Sequence, residues 1–261
     1  MKPYYQDDWV TIYHGDCREV LPTLPGVDLV ITSPPYGEIR DYGGHTKPDL
    51  LLTIEKLSNV IVPGGVIMWN VADQTINGSE TGDSFRQALK AIDCGLRLHD
   101  TMIYCKEAVT FPDSNRYFPS FEYMFIFSKG APKHFNGIKD RKNKWAGSDI
   151  HGTRRETNGK LYKPKNFGMA IPDVGLRWNW WILNTASQEE TLDHPARMPI
   201  SMANGHIQTW SDEGETILDP FMGSGTTLRA AKDLKRKAIG IEIEEKYCEI
   251  AARRMSQEVL I

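Results

Sequence analysis

The 261-residue sequence contains no apolar run near the roughly 18 residues a membrane-crossing helix needs. Its first residues, Met1-Lys2-Pro3-Tyr4-Tyr5-Gln6-Asp7-Asp8, lack the apolar core of a secretion signal. Cysteine is scarce. Cys17, Cys94, Cys105 and Cys248 lie far apart with no Cys-x-x-Cys pair, which argues against a zinc site and against a disulfide framework. These absences point to a reducing cytoplasm and to no membrane contact. Internal repeats and low-complexity tracts are also missing, as is the Gly-Lys-Ser/Thr of a phosphate loop. The remainder is ordinary for a globular protein, 40% apolar and 25% charged. The length suits one large domain, or one domain with an insertion.

Charge is unevenly spread. Residues 131–180 hold 11 Lys/Arg against 4 Asp/Glu, while the chain as a whole carries −3. A basic block on an acidic body suits contact with a polyanion, although charge alone fits a solvated insertion equally well. Apolar runs at Val10–Tyr13, Val27–Ile31, Val66–Trp69, Leu98–Tyr104, Tyr123–Phe127, Thr216–Leu218 and Ala238–Ile243 are nearly continuous, as in strands buried on both faces. Helical spacing falls between them at Leu50–Val62, Asp83–Ile92, Thr226–Lys235 and Glu244–Glu258. The alternation predicts an α/β fold with a mostly parallel sheet. Residues 130–190 break the rhythm. They are rich in Gly, Asn, Lys and Arg and hold four of the seven tryptophans, too much aromatic surface for a linker. The expected division is a core of residues 1–129 and 191–261 around an inserted substrate region of residues 130–190.

Two short segments carry chemistry. In Asp219-Pro220-Phe221-Met222-Gly223-Ser224-Gly225-Thr226-Thr227 a strand gives way to a glycine loop and then a helix. The glycines permit close backbone approach to a ligand, and the helix start offers unpaired N–H groups. Leu228 stands where the dinucleotide fingerprint has its third glycine, so NAD loses ground, and the missing phosphate-loop lysine weakens ATP. Glu242, ending the next predicted strand, is placed to accept hydrogen bonds from ribose hydroxyls. The other segment, Thr32-Ser33-Pro34-Pro35-Tyr36-Gly37, follows a buried strand. Its Pro34-Pro35 pair forces an extended turn and removes two backbone donors, leaving carbonyls that can accept from an –NH2 group. The Ser33 hydroxyl adds an acceptor and Tyr36 a flat stacking face.

Together, in this order, the segments resemble the amino-group-specific DNA methyltransferases. That family uses S-adenosylmethionine and carries an S/D/N-P-P-Y/F/W catalytic motif and an F-x-G-x-G cofactor motif. With the catalytic motif first, the chain is similar to the β group. The resemblance covers most of the sequence and implies a Rossmann-like methyltransferase fold, a mostly parallel twisted sheet with helices on both faces, plus an inserted target-recognition region at 130–190. It implies Ser33, Pro34, Pro35 and Tyr36 as the catalytic set acting on a flipped base, with Phe118 or Phe121 as a second aromatic wall. For the cofactor it implies Asp16 and Cys17 near the adenine, His194 and Pro195 lining the pocket, and Asp219, Pro220, Phe221, Gly223, Ser224, Gly225, Thr226 and Glu242 around the loop. Ser rather than Asp at position 33 is common in the family among enzymes acting on N4 of cytosine, which favours cytosine over N6 of adenine.

The implied partner is double-stranded DNA, with a cognate restriction endonuclease and a monomer or homodimer left open. Candidate DNA contacts are Arg40, in the loop after the clamp, and Lys142, Lys144, Arg154, Arg155, Lys163 and Lys165 in the basic block; most would meet phosphates. Methylation of RNA or protein, and a relative that binds DNA without catalysis, are the competing readings.

Overall fold

The computed structural model describes residues 1–35, 48–106, 115–183 and 198–257. It divides into two compact units, Met1–Asn136 with Asn179–Ile261, and Gly137–Trp178.

The larger unit is built on one nine-stranded sheet. In chain order the strands are β1 (Tyr5–Gln6), β2 (Val10–His14), β3 (Val27–Thr32), β4 (Ile61–Val71), β5 (Arg97–Lys106), β6 (Phe121–Ser128), β7 (Trp180–Leu183), β8 (Thr216–Asp219) and β9 (Lys237–Glu242). Across the sheet they run β1-β2-β9-β8-β3-β4-β6-β5-β7. The pairings from β2 through β9, β8 and β3 to β4 are all parallel. β6 runs antiparallel to both β4 and β5, β1 antiparallel to β2, and β7 parallel to β5. The helices are α1 (Cys17–Val20), α2 (Leu50–Val60), α3 (Asp83–Asp93), α4 (Ile200–Trp210), α5 (Thr226–Asp233) and α6 (Glu245–Ser256). Among the described residues no helix is long and apolar enough to cross a membrane.

The continuous apolar runs form the inner strands. Leu29, Val30 and Ile31 of β3, and Met68, Trp69 and Val71 of β4, have no exposed surface, as expected of strands covered on both faces. One boundary differs from helical spacing. Ile61 continues the Leu51, Ile54, Leu57 stripe in the sequence yet begins β4, directly after α2. Val60, Ile61 and Val62 are β-branched, and Pro63 disfavours helical backbone at Val62, so the helix stops there.

The stretch expected as one insertion is divided between the two units. Asn136 N–H donates to the Thr209 carbonyl at 2.9 Å, and Phe135 packs on Trp210 with ring centroids 5.3 Å apart, so residues up to 136 belong to the larger unit. Trp180 and Trp181 lie in β7, where buried Trp181 stacks on His206 at 4.6 Å. Those two tryptophans extend the core sheet rather than an insertion's surface, because a parallel edge strand needs one face to bury.

The smaller unit holds two short antiparallel ladders, Lys139–Lys142 with Val174–Leu176 and Arg154–Arg155 with Leu161–Tyr162. Its side chains are mostly exposed. Ring contacts replace a deep core: Arg141 lies over Trp178 at 4.4 Å and Lys163 over Phe167 at 4.4 Å.

In the larger unit α5 lies close upon the sheet. A Cβ on Gly240 of β9 would meet Met222 Sδ at 2.3 Å and Leu228 Cδ2 at 2.6 Å. The close helix–strand approach that a third loop glycine gives dinucleotide proteins is thus supplied here by the neighbouring strand, and Leu228 fills the space. Gly240→Ala should lower unfolding free energy by about 1–3 kcal/mol in urea titration, the usual cost of overpacking a buried site. Unchanged stability would mean that α5 can move away freely.

Candidate active site and cofactor loop

The connections on the two sides of the sheet run in opposite directions. From β3 the chain crosses through α2 to β4, while from β8 it crosses through α5 to β9. The order reverses between β3 and β8, and ligands of open α/β sheets bind in the crevice at the carboxyl ends of the strands at such a point. Both motif segments emerge here. Thr32 ends β3, Asp219 ends β8, and their side chains meet: Thr32 Oγ1 donates to Asp219 Oδ1 at 2.8 Å.

Asp219 is buried and also accepts from Thr227 Oγ1 at 2.7 Å and the Phe221 N–H at 3.1 Å. Burial pushes its carboxyl up to about 6, against the opposing pull of these three donors. Around this anchor Pro220-Phe221-Met222-Gly223-Ser224-Gly225 folds back. Met222 N–H donates to the Ile241 carbonyl at 3.1 Å, and Gly225 N–H to the Met222 carbonyl at 2.9 Å. Gly223 (φ 51°) and Gly225 (φ 81°) occupy the left-handed region, which favours glycine at both positions. Gly225 caps α5, and Thr226 opens the helix. Ser224 is buried, its carbonyl accepting from Arg254 at 2.8 Å.

Glu242 ends β9 beside the loop. Its Oε2 accepts from the Gly223 N–H at 3.0 Å and its Oε1 from the Glu244 N–H at 2.9 Å. Burial raises its pKa, with the backbone donors opposing. Each carboxylate oxygen has a second lone pair, so the group can also receive hydroxyl donors. Gly15 N–H donates to the Glu242 carbonyl at 2.8 Å, which ties the β2 tip to the β9 tip. Asp16 follows as the N-cap of α1, and the Arg18 guanidinium beside it holds its carboxyl below the ordinary value. Cys17 is set deeper than a ligand-facing role suggests. It belongs to the core, its Sγ is 3.9 Å from Thr53 Oγ1, and burial pushes the thiol up to about 12.

On the clamp side Ser33 and Pro35 are partly buried and Pro34 is buried. Asn70 Nδ2 of β4 donates to Ser33 Oγ at 3.3 Å. Asn70 and Glu122 have no role assigned from the sequence, where their readable sign is a polar residue inside an otherwise apolar strand; nor have Thr32 and Thr227, which stand within the two motif segments. Phe121 begins β6 half-exposed, edge-on to Tyr123 at 5.4 Å, and Phe118 is likewise exposed. Tyr36, Arg40, His194 and Pro195 lie outside the described residues. In the smaller unit Lys142, Lys144, Arg154, Arg155, Lys163 and Lys165 are all exposed, with Lys144 over the Trp145 ring at 5.3 Å.

A mostly parallel sheet carrying a glycine loop, an acidic strand tip and a proline-rich turn at its switch point defines a Rossmann-like methyltransferase fold. Comparison with known proteins agrees. The family model for N6/N4 methyltransferases, described as DNA methylase, matches residues 27–253. The chain is 44% identical over 254 residues to the orphan methyltransferase M.BamHII of Bacillus amyloliquefaciens, covering 95% of this chain and 92% of that protein. Among solved structures it is similar to the PvuII DNA methyltransferase (cytosine-N4-specific), with TM-score 0.71 and 19% identity, covering 100% of this chain and 90% of that one. It is also similar to M1.HpyAVI in complex with SAM, with TM-score 0.62 and 23% identity, covering 95% of this chain and 100% of that one. At such identities the structures speak for the fold. The chain belongs to the N6/N4 DNA methylase family: it is a site-specific DNA methyltransferase with S-adenosylmethionine as cofactor. The residues present fit that cofactor, since the loop carries no side chain at Gly223, Gly225 lets it pack against Ala251 of α6, and Glu242 has acceptor capacity beside it.

Asp219 makes stability depend on pH in a definite direction. The folded state keeps its proton up to about 6, whereas an unfolded Asp releases it near 3.8. Folded protein therefore binds more protons in this window, and unfolding free energy falls as pH rises through it. Relative to Asp219→Asn, the native protein should lose about 2 kcal/mol between pH 3.8 and pH 6. Urea titrations of both proteins across that range check this; parallel pH profiles would contradict it.

Proposed function

We propose that this enzyme methylates the exocyclic amino group of a base turned out of duplex DNA, with N4 of cytosine favoured over N6 of adenine. The carrying observation is the Thr32–Asp219 hydrogen bond, which joins the residue before Ser33-Pro34-Pro35 to the first residue of the glycine loop. Amino-group acceptors and cofactor loop are thereby neighbours. Ser33 and its resemblance-based preference support cytosine, and the fold likeness to a cytosine-N4-specific enzyme is in keeping with it.

When bound, S-adenosylmethionine supplies a methyl group on a sulfonium, so the leaving sulfur departs neutral. In this reading Asp16 and Glu242 would hold the nucleoside part, and the bare backbone at Gly223 would admit it against the loop, which Gly225 packs onto α6. The Ser33 hydroxyl and the Pro34 carbonyl accept the two amino hydrogens. That draws the nitrogen toward a tetrahedral shape with a lone pair available for in-line attack. The surplus proton passes to solvent, because serine is no base at neutral pH. The target nitrogen is out of reach inside a duplex, which is the argument for flipping. Tyr36 and Phe121 are assigned to stack on the flipped base. The exposed Lys and Arg of Gly137–Trp178 are assigned to DNA, chiefly its phosphates.

Nucleoside mass spectrometry of DNA treated with the enzyme and cofactor should yield N4-methylcytosine; N6-methyladenine instead would leave the mechanism and overturn the base. Pro34→Ala should cut methyl transfer by about 100-fold through loss of the rigid turn. Cofactor affinity should stay within about twofold of the native value. Native rates in that variant would remove the clamp.

A further inference from the structure

Beside the clamp lies a polar chain that the proposed chemistry has not used. It crosses the carboxyl-terminal side of the sheet over four adjacent strand ends. Ser33 follows β3, Asn70 lies near the end of β4, Glu122 near the start of antiparallel β6, and Lys106 ends β5. Asn70 Nδ2 donates to Ser33 Oγ at 3.3 Å and, with its other hydrogen, to Glu122 Oε2. The other Glu122 oxygen pairs with Lys106 Nζ. Asn70 is 3% exposed and Glu122 6%.

From this geometry we infer that Glu122, acting through Asn70, is a positioning residue for the Ser33 hydroxyl. An ionised carboxylate only accepts hydrogen bonds. With Glu122 on one side, the Asn70 amide must turn its Nδ2 end inward, and so it donates to Ser33 Oγ rather than accepting from it. The Ser33 hydroxyl proton is therefore not spent on Asn70, and its oxygen is held by a donor from the β4 side. A hydroxyl so held can accept an amino hydrogen and donate to the neighbouring ring nitrogen, the pair of groups that cytosine and adenine both present at this edge. Lys106 offsets the charge of Glu122. The ion pair itself is weak evidence for stability, because well-packed apolar residues serve a core as well or better. Its position, two hydrogen bonds from the clamp oxygen, is what gives it a function. The inference rests on the reading of Ser33 as part of the amino clamp and adds how that side chain is aimed.

The test is a double-mutant cycle read by single-turnover transfer from tritiated S-adenosylmethionine to plasmid DNA from a methylation-deficient host, with cofactor binding measured alongside. Asn70→Ala should slow transfer by about 10- to 100-fold, with cofactor affinity changed by no more than about twofold. Glu122→Gln, which keeps shape and an acceptor while removing the charge, should slow it less. Neither change should slow a Ser33→Ala enzyme further, because both act through that oxygen. Native rates in Asn70→Ala and Glu122→Gln, or effects that multiply with Ser33→Ala, would overturn the inference. If Asn70→Ala fails to fold, Glu122→Gln in the native and Ser33→Ala backgrounds carries the same test alone. A Ser33→Ala enzyme at native rate would instead sink the clamp reading itself, so the two failures are distinct.

Discussion

Asp219 ends β8 inside the protein, where its carboxylate takes hydrogen bonds from Thr32 Oγ1, Thr227 Oγ1 and the Phe221 N–H. Burying a charge is costly, and the rise of its pKa to about 6 registers that cost. The three donors hold it in place despite the cost, and each comes from a different piece of the site: the strand before the clamp, the turn of the glycine loop, and the first turn of α5. Moving any one of them leaves a buried acceptor without its partner. The relative placement of the Ser33-Pro34-Pro35 turn and the glycine loop is therefore set by one residue.

The rest of the site hangs on that anchor by the geometry of a parallel sheet. Adjacent strands lie about 4.8 Å apart, so the ends of β2, β9, β8, β3 and β4 present Asp16, Glu242, the glycine loop, Ser33 and Asn70 in sequence along one edge. Cross-links keep the edge in register: Gly15 N–H to the Glu242 carbonyl, Gly223 N–H to the Glu242 carboxylate, and Asn70 to Ser33. The sequence separation between the two motifs, Thr32 to Asp219, carries no penalty once the sheet has made them neighbours.

That edge also explains what could be read in advance. Buried strands announce themselves as apolar runs, and Leu29–Ile31 and Ile239–Ile241 fall where such runs placed them. The glycine loop was legible because its backbone at 223 and 225 is left-handed, which favours glycine and leaves a Gly-x-Gly in the sequence. Two other features were not. Strand β7 looked like part of an aromatic insertion, because Trp180 and Trp181 give no sign that their partner is β5, more than seventy residues earlier. Asn70 and Glu122 were hidden for the same reason. A polar residue in a strand is one letter among apolar neighbours, and its partner is set by antiparallel register between β4 and β6, which no local pattern encodes. Thr32 was read only as the lead-in to the clamp, yet its hydroxyl is the link to Asp219.

The most direct test of the Asp219 account is S-adenosylmethionine binding by calorimetry to Thr32→Val. This isosteric change lies on the clamp strand and removes only the donor to Asp219. The account predicts affinity about 5- to 10-fold weaker, the scale of one net hydrogen bond transmitted to the loop. Native affinity in Thr32→Val, with Thr227→Val weakened, would show that the loop holds its shape without the clamp strand and would contradict the account.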